Sequence, residues 1–170
     1  MKKGWVQREL YLERIRPFYD SELIKVITGV RRCGKSILLK QIRQELLDTG
    51  IELERITYLN FEDYELRALK NPDTFHAHMV GLLKPGMKHY LLCDEIQNVE
   101  DFELVVNSLR STSDVSIFLT GSNARLLSGE LATHLGGRTI SLKMMSFSFS
   151  EFCTFSELPP DKSSLNEYMK

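Results

Sequence analysis

Within the first quarter of the chain, Gly29-Val30-Arg31-Arg32-Cys33-Gly34-Lys35-Ser36 sets two glycines, a lysine and a hydroxyl at the spacing G-x-x-x-x-G-K-[ST]. Those residue types in that order suit the binding of phosphate. Backbone amides converge on an anion only where the chain bends sharply and no Cβ blocks the approach, which is what the glycines allow. Lys35 would then reach the β- and γ-phosphates of a nucleotide, and the Ser36 hydroxyl would hold Mg²⁺. The candidate nucleotide ligands are Gly29, Val30, Arg31, Arg32, Cys33, Gly34, Lys35, Ser36 and Ile37. The side chains of Arg31 and Arg32 are expected to meet no more than solvent. Cys33 reads as a small residue that fits the turn rather than as a reactive thiol.

The alternative to a phosphate loop is a glycine-rich surface turn, and the flanking sequence decides against it. Leu23 to Thr28 reads as a buried strand running into the motif. Ile37 to Leu47 reads as a helix leaving it, with Leu38, Leu39, Ile42 and Leu46 on one face. A second constellation follows the apolar run His89-Tyr90-Leu91-Leu92-Cys93, which ends on Asp94-Glu95. A strand without polar alternation is buried on both faces of a parallel sheet, so these acids lie at its carboxyl edge, where open α/β sheets bind ligands. Asp94 is placed to hold Mg²⁺ through water, and Glu95 to orient or deprotonate an attacking water.

The remaining elements alternate. Residues 5–16 suggest a short helix stopped by Pro17, lying against the nucleotide site or the sheet. Arg55 to Phe61 is a second strand. Asn71 caps a helix with Pro72 in its first turn, and Phe75, Met79, Leu82 and Leu83 form the buried stripe. His76 and His78, two places apart, fall on different faces and form no metal pair. Asn98 is expected to cap the next helix, whose buried face is Val99, Phe102, Val105, Val106 and Leu109. Val115 to Thr120 is a further strand, Leu126 to Leu135 an interrupted helix and Thr139 to Lys143 a last strand. Ser148-x-x-Glu151 has the form of a capping box. The fold class is therefore α/β, a three-layer α/β/α arrangement around a mostly parallel sheet. Three parts are expected: an N-terminal helical segment (1–20), a nucleotide-binding core (21–155) and a polar tail or linker stub (156–170).

Bulk properties bound the function without naming it. At 170 residues the chain suits one domain, and a net charge of −1 is no polyelectrolyte signature, so any nucleic-acid partner must meet a local patch. The 3 cysteines are widely spaced and fit a reducing compartment. Nothing in the sequence resembles a signal peptide or a membrane span, and the expectation is a cytoplasmic protein without a membrane partner.

Taken jointly, Gly29 to Ser36, Leu91 to Val99 and Phe118 to Asn123 resemble the prokaryotic branch of the AAA+ P-loop ATPases, in particular uncharacterised members with a C-terminal domain of uncertain function. Leu126-Leu127-Ser128, Gly137-Arg138 and Ser148 to Phe152 resemble later signatures of the same family. The resemblance implies five strands in the order 5-1-4-3-2 and a preference for ATP. It also implies a γ-phosphate sensor among Thr120, Ser122 and Asn123, with Asn123 the first choice, and a restraining role for Asn60 toward Glu95. Arg138, or else Arg125, would supply the arginine that stabilises charge on the transferred phosphoryl group, in cis or from a neighbouring copy. Two departures stand out: Ser146 occupies a place where the family usually has proline, and no stretch before Lys170 reads as the small helical lid. A chain lacking that lid and the C-terminal domain should keep nucleotide binding better than fast turnover or ring assembly.

The leading reading is a Mg²⁺-dependent ATP hydrolase coupled to an unknown partner. The alternative is a nucleotide-gated binding module, with little or no hydrolysis, that engages protein or DNA. A small-molecule kinase is disfavoured because no acceptor pocket is evident, and a GTPase because neither Asn-Lys-x-Asp nor Asp-x-x-Gly occurs. Self-association is left open.

Overall fold

The computed structural model describes residues 5–122 and 135–169. Its first helix, α1 (Glu9–Ile15), begins later than the pattern over 5–16 suggests. The side-chain amide of Gln41 explains the difference. It accepts from the Arg8 N–H at 3.2 Å and donates to the Val6 carbonyl at 2.8 Å, holding residues 6–8 outside the helix. Next come β1 (Ile24–Gly29), α2 (Lys35–Asp48) and β2 (Ile56–Asn60). A 3₁₀ segment from Tyr64 to Lys70, not anticipated from sequence, starts where the Asp63 carboxylate accepts from the Glu65 N–H.

Helix α3 (Pro72–Leu82) is capped by Asn71, which accepts from the Thr74 N–H at 3.1 Å. Phe75 and Met79 are buried, Leu83 is half-buried, and Leu82, expected in the buried stripe, faces solvent. Strand β3 (His89–Asp94) is followed by a single 3₁₀ turn, Ile96–Asn98, and only then by α4 (Phe102–Thr112). Asn98 is therefore not the cap. Glu95 and Asp101 both have left-handed backbone (φ 53° and 44°), which delays the helix by one turn. On α4 the expected Phe102, Val105, Val106 and Leu109 are buried, joined by Glu103, while Val99 is buried ahead of the helix. Strand β4 (Val115–Gly121) comes next. The expected helix from Leu126 lies, except for the buried Leu135, outside the described residues.

Strand β5 (Thr139–Met144) leads to α5 (Phe149–Ser156), whose capping box of Ser148 and Glu151 is complete. Where a frayed tail was expected, α6 (Lys162–Tyr168) folds back. Tyr168 sets its ring 5.4 Å from that of Phe152 and donates its hydroxyl hydrogen to the Phe147 carbonyl at 2.7 Å.

All strand pairs are parallel, in the order β2-β3-β4-β1-β5, which is 5-1-4-3-2 from the other edge. Ile24, Val26, Leu91, Cys93, Ile117 and Leu119 face α3 and α4. Ile27, Tyr90, Leu92 and Phe118 face α1 and α2. Apolar side chains on both sides of β1, β3 and β4 are why these strands show no alternation. No described helix is long and apolar enough to cross a membrane.

Polar side chains also enter this core, Lys25 among them. Lys25 on β1 is fully buried, donating to the Ser21 carbonyl at 2.9 Å and the Ser116 hydroxyl at 2.7 Å, with its ammonium 4.8 Å from the Phe118 ring centre. Burial, reinforced by the positive charge of Lys88 and opposed by Asp20, lowers its pKa to about 7. Between about pH 7 and the ordinary value of 10.5 the unfolded chain holds a proton there that the folded chain does not. Stability from this group therefore rises with pH across that window, and the cost of burying it is greatest at and below pH 7. Lys25→Met should raise unfolding stability at pH 7 by on the order of 1 kcal/mol. It should also flatten the rise between pH 7 and 10, and denaturant melts across that range check both.

Candidate functional site

Because every strand runs the same way, Gly29, Asn60, Asp94 and Gly121 all end on one edge of the sheet. β1 lies between β4 and β5, so the loop leaving Gly29 opens toward the tips of β4 and, beyond it, β3. A Cβ on Gly29 would come 2.5 Å from the Met144 carbonyl oxygen and 2.8 Å from the Cys33 sulfur. Glycine is required there by close packing. Gly34, at φ +100°, is required by conformation. Arg32 accepts a left-handed φ of 66° without being glycine.

Lys35 is 4% exposed. Its ammonium lies 3.3 Å from the carbonyl oxygens of Gly29 and Val30 and 3.6 Å from Glu95 Oε1. The other oxygen of Glu95 accepts from the Ser122 hydroxyl at 3.1 Å and from the Gln97 amide. Asp94 is buried, with one oxygen accepting from the Thr120 hydroxyl and the other from the Tyr58 hydroxyl at 3.0 Å. Thr120 also accepts the Glu95 N–H at 3.1 Å, so a single hydroxyl ties the two acids together. Burial, and then the nearby Asp94 charge, push the Tyr58 pKa up, which keeps that phenol a donor.

Lys35, Asp94, Glu95, Thr120 and Ser122 are thus drawn into one cluster. The half-buried Ser36 follows Lys35 in the first turn of α2. Asn123 and Arg125 lie outside the described residues. Asn60 accepts from the Glu62 N–H at 3.1 Å, which is turn chemistry, and no described contact joins it to Glu95. For Arg138 the geometry bears on only one of its two expected roles, the one within its own chain. Its carbonyl accepts from the Ile24 N–H at 2.9 Å, at the start of β1, whereas Gly29 is opposite Met144. At about 3.3 Å per residue the strand separates Arg138 from the loop of its own chain by about 17 Å, beyond the reach of a guanidinium. An in-cis role for Arg138 does not fit.

Two participants were not foreseen. Tyr58 reads in sequence as an ordinary strand aromatic. Arg8 reads as one charge among several, yet it is 1% exposed. Its guanidinium donates to the Cys33 carbonyl of the loop at 2.9 Å and to the Met145 carbonyl at 2.9 Å, and pairs with Glu151 at 2.7 Å. The rings of Tyr11 and Phe147 lie 4.8 and 5.2 Å away. Beside it a cavity of about 300 Å³ opens next to Gly34 and Ile37, walled by Trp5, Val6, Phe147 and Phe155.

A family model described as an AAA domain matches residues 21–153. An uncharacterised protein of Haemophilus influenzae is 46% identical over 153 residues, which are 89% of this chain and 38% of that one. An uncharacterised protein of Methanocaldococcus jannaschii is 38% identical over 133 residues, 78% of this chain and 28% of that one. The chain thus spans well under half the length of these curated relatives. AMPPCP-bound DnaA from Aquifex aeolicus superposes with a TM-score of 0.54 at 19% identity, covering 98% of this chain and 56% of that one. The Aeropyrum pernix ORC1 protein in complex with DNA gives 0.58 at 14% identity, covering 96% and 50%. At such identities these likenesses establish the fold.

The tight contact at Gly29 yields a direct test. Gly29→Ala must displace the backbone of Met144, because the clash is with a carbonyl rather than a flexible side chain. It should destabilise the protein by about 1–3 kcal/mol. Gly50→Ala, where no atom lies within 4 Å, serves as the uncrowded comparison in the same denaturant titration.

Proposed function

The chain belongs to the AAA-domain family, and from that membership and the geometry of the site we propose that it binds ATP with Mg²⁺ and hydrolyses it. The observation that carries this reading is the approach of the Lys35 ammonium to within 3.6 Å of Glu95, beside the buried Asp94. The lysine of a phosphate motif and the acids of a strand end converge at the mouth of one glycine loop.

In this reading the loop amides receive the phosphate oxygens, and Lys35 exchanges the carbonyls of Gly29 and Val30 for the β- and γ-phosphates. Asp94 fits a hard divalent cation. Among the described residues its two oxygens meet only neutral hydroxyls, so its charge lacks a cationic partner. Mg²⁺, held by Ser36 and through water by Asp94, would neutralise charge on the phosphates. Glu95 orients or deprotonates the attacking water, and Ser122, already bonded to it, responds to what occupies the site. Trp5, Ile37, Phe147 and Phe155 offer apolar walls for a flat base. Asn123 as sensor, and Arg138 supplied from a neighbouring copy, complete the catalytic set; the latter requires self-association.

A second reading, a nucleotide-gated binding module, is favoured by one observation. Glu95 is held by Ser122, Gln97 and Lys35 together, which keeps its carboxylate from water. Hydrolysis would then wait on a partner that releases it. The ORC1 protein was solved with DNA, and a DNA or protein partner of this chain would engage a local surface in the cytoplasm. Residues 21–155 form the nucleotide-binding core in both readings.

Phosphate release by the purified chain separates them. Glu95→Gln should lower it by about 10²–10⁴-fold while leaving nucleotide affinity intact. Lys35→Ala should weaken binding of an ATP analogue with Mg²⁺ in a fluorescence titration. Tight binding by the wild type, with no more phosphate than Glu95→Gln releases, selects the gated module. Undiminished binding by Lys35→Ala contradicts both readings.

A further inference from the structure

We infer that Arg8 is a positioning residue for the phosphate site, holding the Cys33 carbonyl so that the Gly34 amide faces the bound anion. The inference rests on the reading of Gly29–Ser36 as a phosphate loop. It starts from the planarity of the peptide group. In a trans peptide the C=O and the following N–H point in opposite directions, and no cis bond occurs among the described residues. The Cys33 oxygen is drawn toward Arg8 Nη1 at 2.9 Å. The N–H of Gly34, in the same peptide plane, is therefore turned away from Arg8. Among the described residues that N–H meets no protein acceptor.

The guanidinium is held well enough to set this direction. It is 1% exposed, lies near the rings of Tyr11 and Phe147, donates through Nη2 to the Met145 carbonyl and forms an ion pair with the Glu151 carboxylate. A buried cation in this setting needs its partners, and Glu151 supplies the opposing charge at 2.7 Å. Glu151 is itself fixed, because it accepts the Ser148 N–H in the capping box of α5 at 2.8 Å. The planar fork of arginine can address the loop, the end of β5 and the start of α5 at once; a lysine ammonium offers no such fork. The loop amide is thereby aimed before any ligand arrives, which lowers the ordering cost of binding.

The test is titration of ¹⁵N-labelled full chain with ADP·Mg²⁺ and separately with pyrophosphate, following the Gly34 amide resonance and the dissociation constants. In the wild type the Gly34 resonance should move downfield on saturation. Arg8→Met and Arg8→Lys should bind both probes about 10–100-fold more weakly, as loss of outer-shell partners does at metal sites. In both, the Gly34 displacement should shrink while other loop amides still respond. Glu151→Gln keeps Arg8 in place but removes its counter-charge, and should weaken binding by a smaller factor, about 3–10-fold; it decides the matter if the Arg8 variants do not fold. Folded Arg8 variants with wild-type affinity and a wild-type Gly34 shift overturn the inference, as does unchanged affinity in Glu151→Gln. A wild-type chain that binds neither probe overturns the phosphate-loop reading itself, and this inference with it.

Discussion

A loop that turns its N–H groups toward an anion turns its carbonyls the other way, and each buried carbonyl then needs a donor. That constraint organises the structure around Gly29–Ser36. The Val30 oxygen accepts from the Cys33 N–H at 3.3 Å and the Gly34 oxygen from the Leu38 N–H at 2.9 Å, the first bond of α2. The Gly29 and Val30 oxygens take the Lys35 ammonium at 3.3 Å. The Cys33 oxygen is met by the buried Arg8. Helix α2 is anchored by Leu38, Leu39 and Ile42, and β1 by Ile24, Val26 and Ile27, all fully or nearly fully buried. The bend therefore hangs between two supports that cannot move independently of the core.

Strand register does the same for the acids. Cys93 is opposite Leu119, so the next residue on each strand brings Asp94 alongside Thr120 at the sheet edge. The threonine hydroxyl can then donate to Asp94 and accept from the Glu95 N–H together. Glu95 leaves the strand in left-handed backbone, at a cost of roughly 1 kcal/mol, and its side chain reaches Lys35 instead of continuing along β3. Strain at a non-glycine residue persists only where its surroundings over-determine it, and here Thr120, Gln97, Ser122 and Lys35 all do.

The features legible in the sequence are those fixed by residues close together along the chain. The glycine spacing, the Asn71 cap, the Ser148–Glu151 box and the doubly buried β3 are patterns within a few residues of one another. What escaped reading depends on distant partners. Arg8 meets acceptors 25 and 137 residues away, and nothing in its neighbourhood separates it from exposed arginines such as Arg31. Asn98 and Asp101 are both good capping types, and the choice between them was made by the turn that Glu95 imposes. Lys25 sits in an apolar run and was absorbed into the strand without notice. Arg138 precedes the last strand of a parallel sheet, so its place at the amino-terminal end follows from all strands running the same way.

The site is also wider than the span that the family model matches. Residues 21–153 contain the loop and both acids, but Trp5, Val6 and Arg8 precede that span and Phe155 follows it. These residues form the wall beside Gly34 and Ile37, and Arg8 belongs to that wall and is bonded to the glycine loop. The segment pinned by Gln41 therefore lines the pocket as well as leading into α1. Through Glu151 the same guanidinium reaches α5, whose first turn carries the capping box and whose last carries Phe155. One buried guanidinium therefore links the glycine loop to the chain before the family-matched region and to α5.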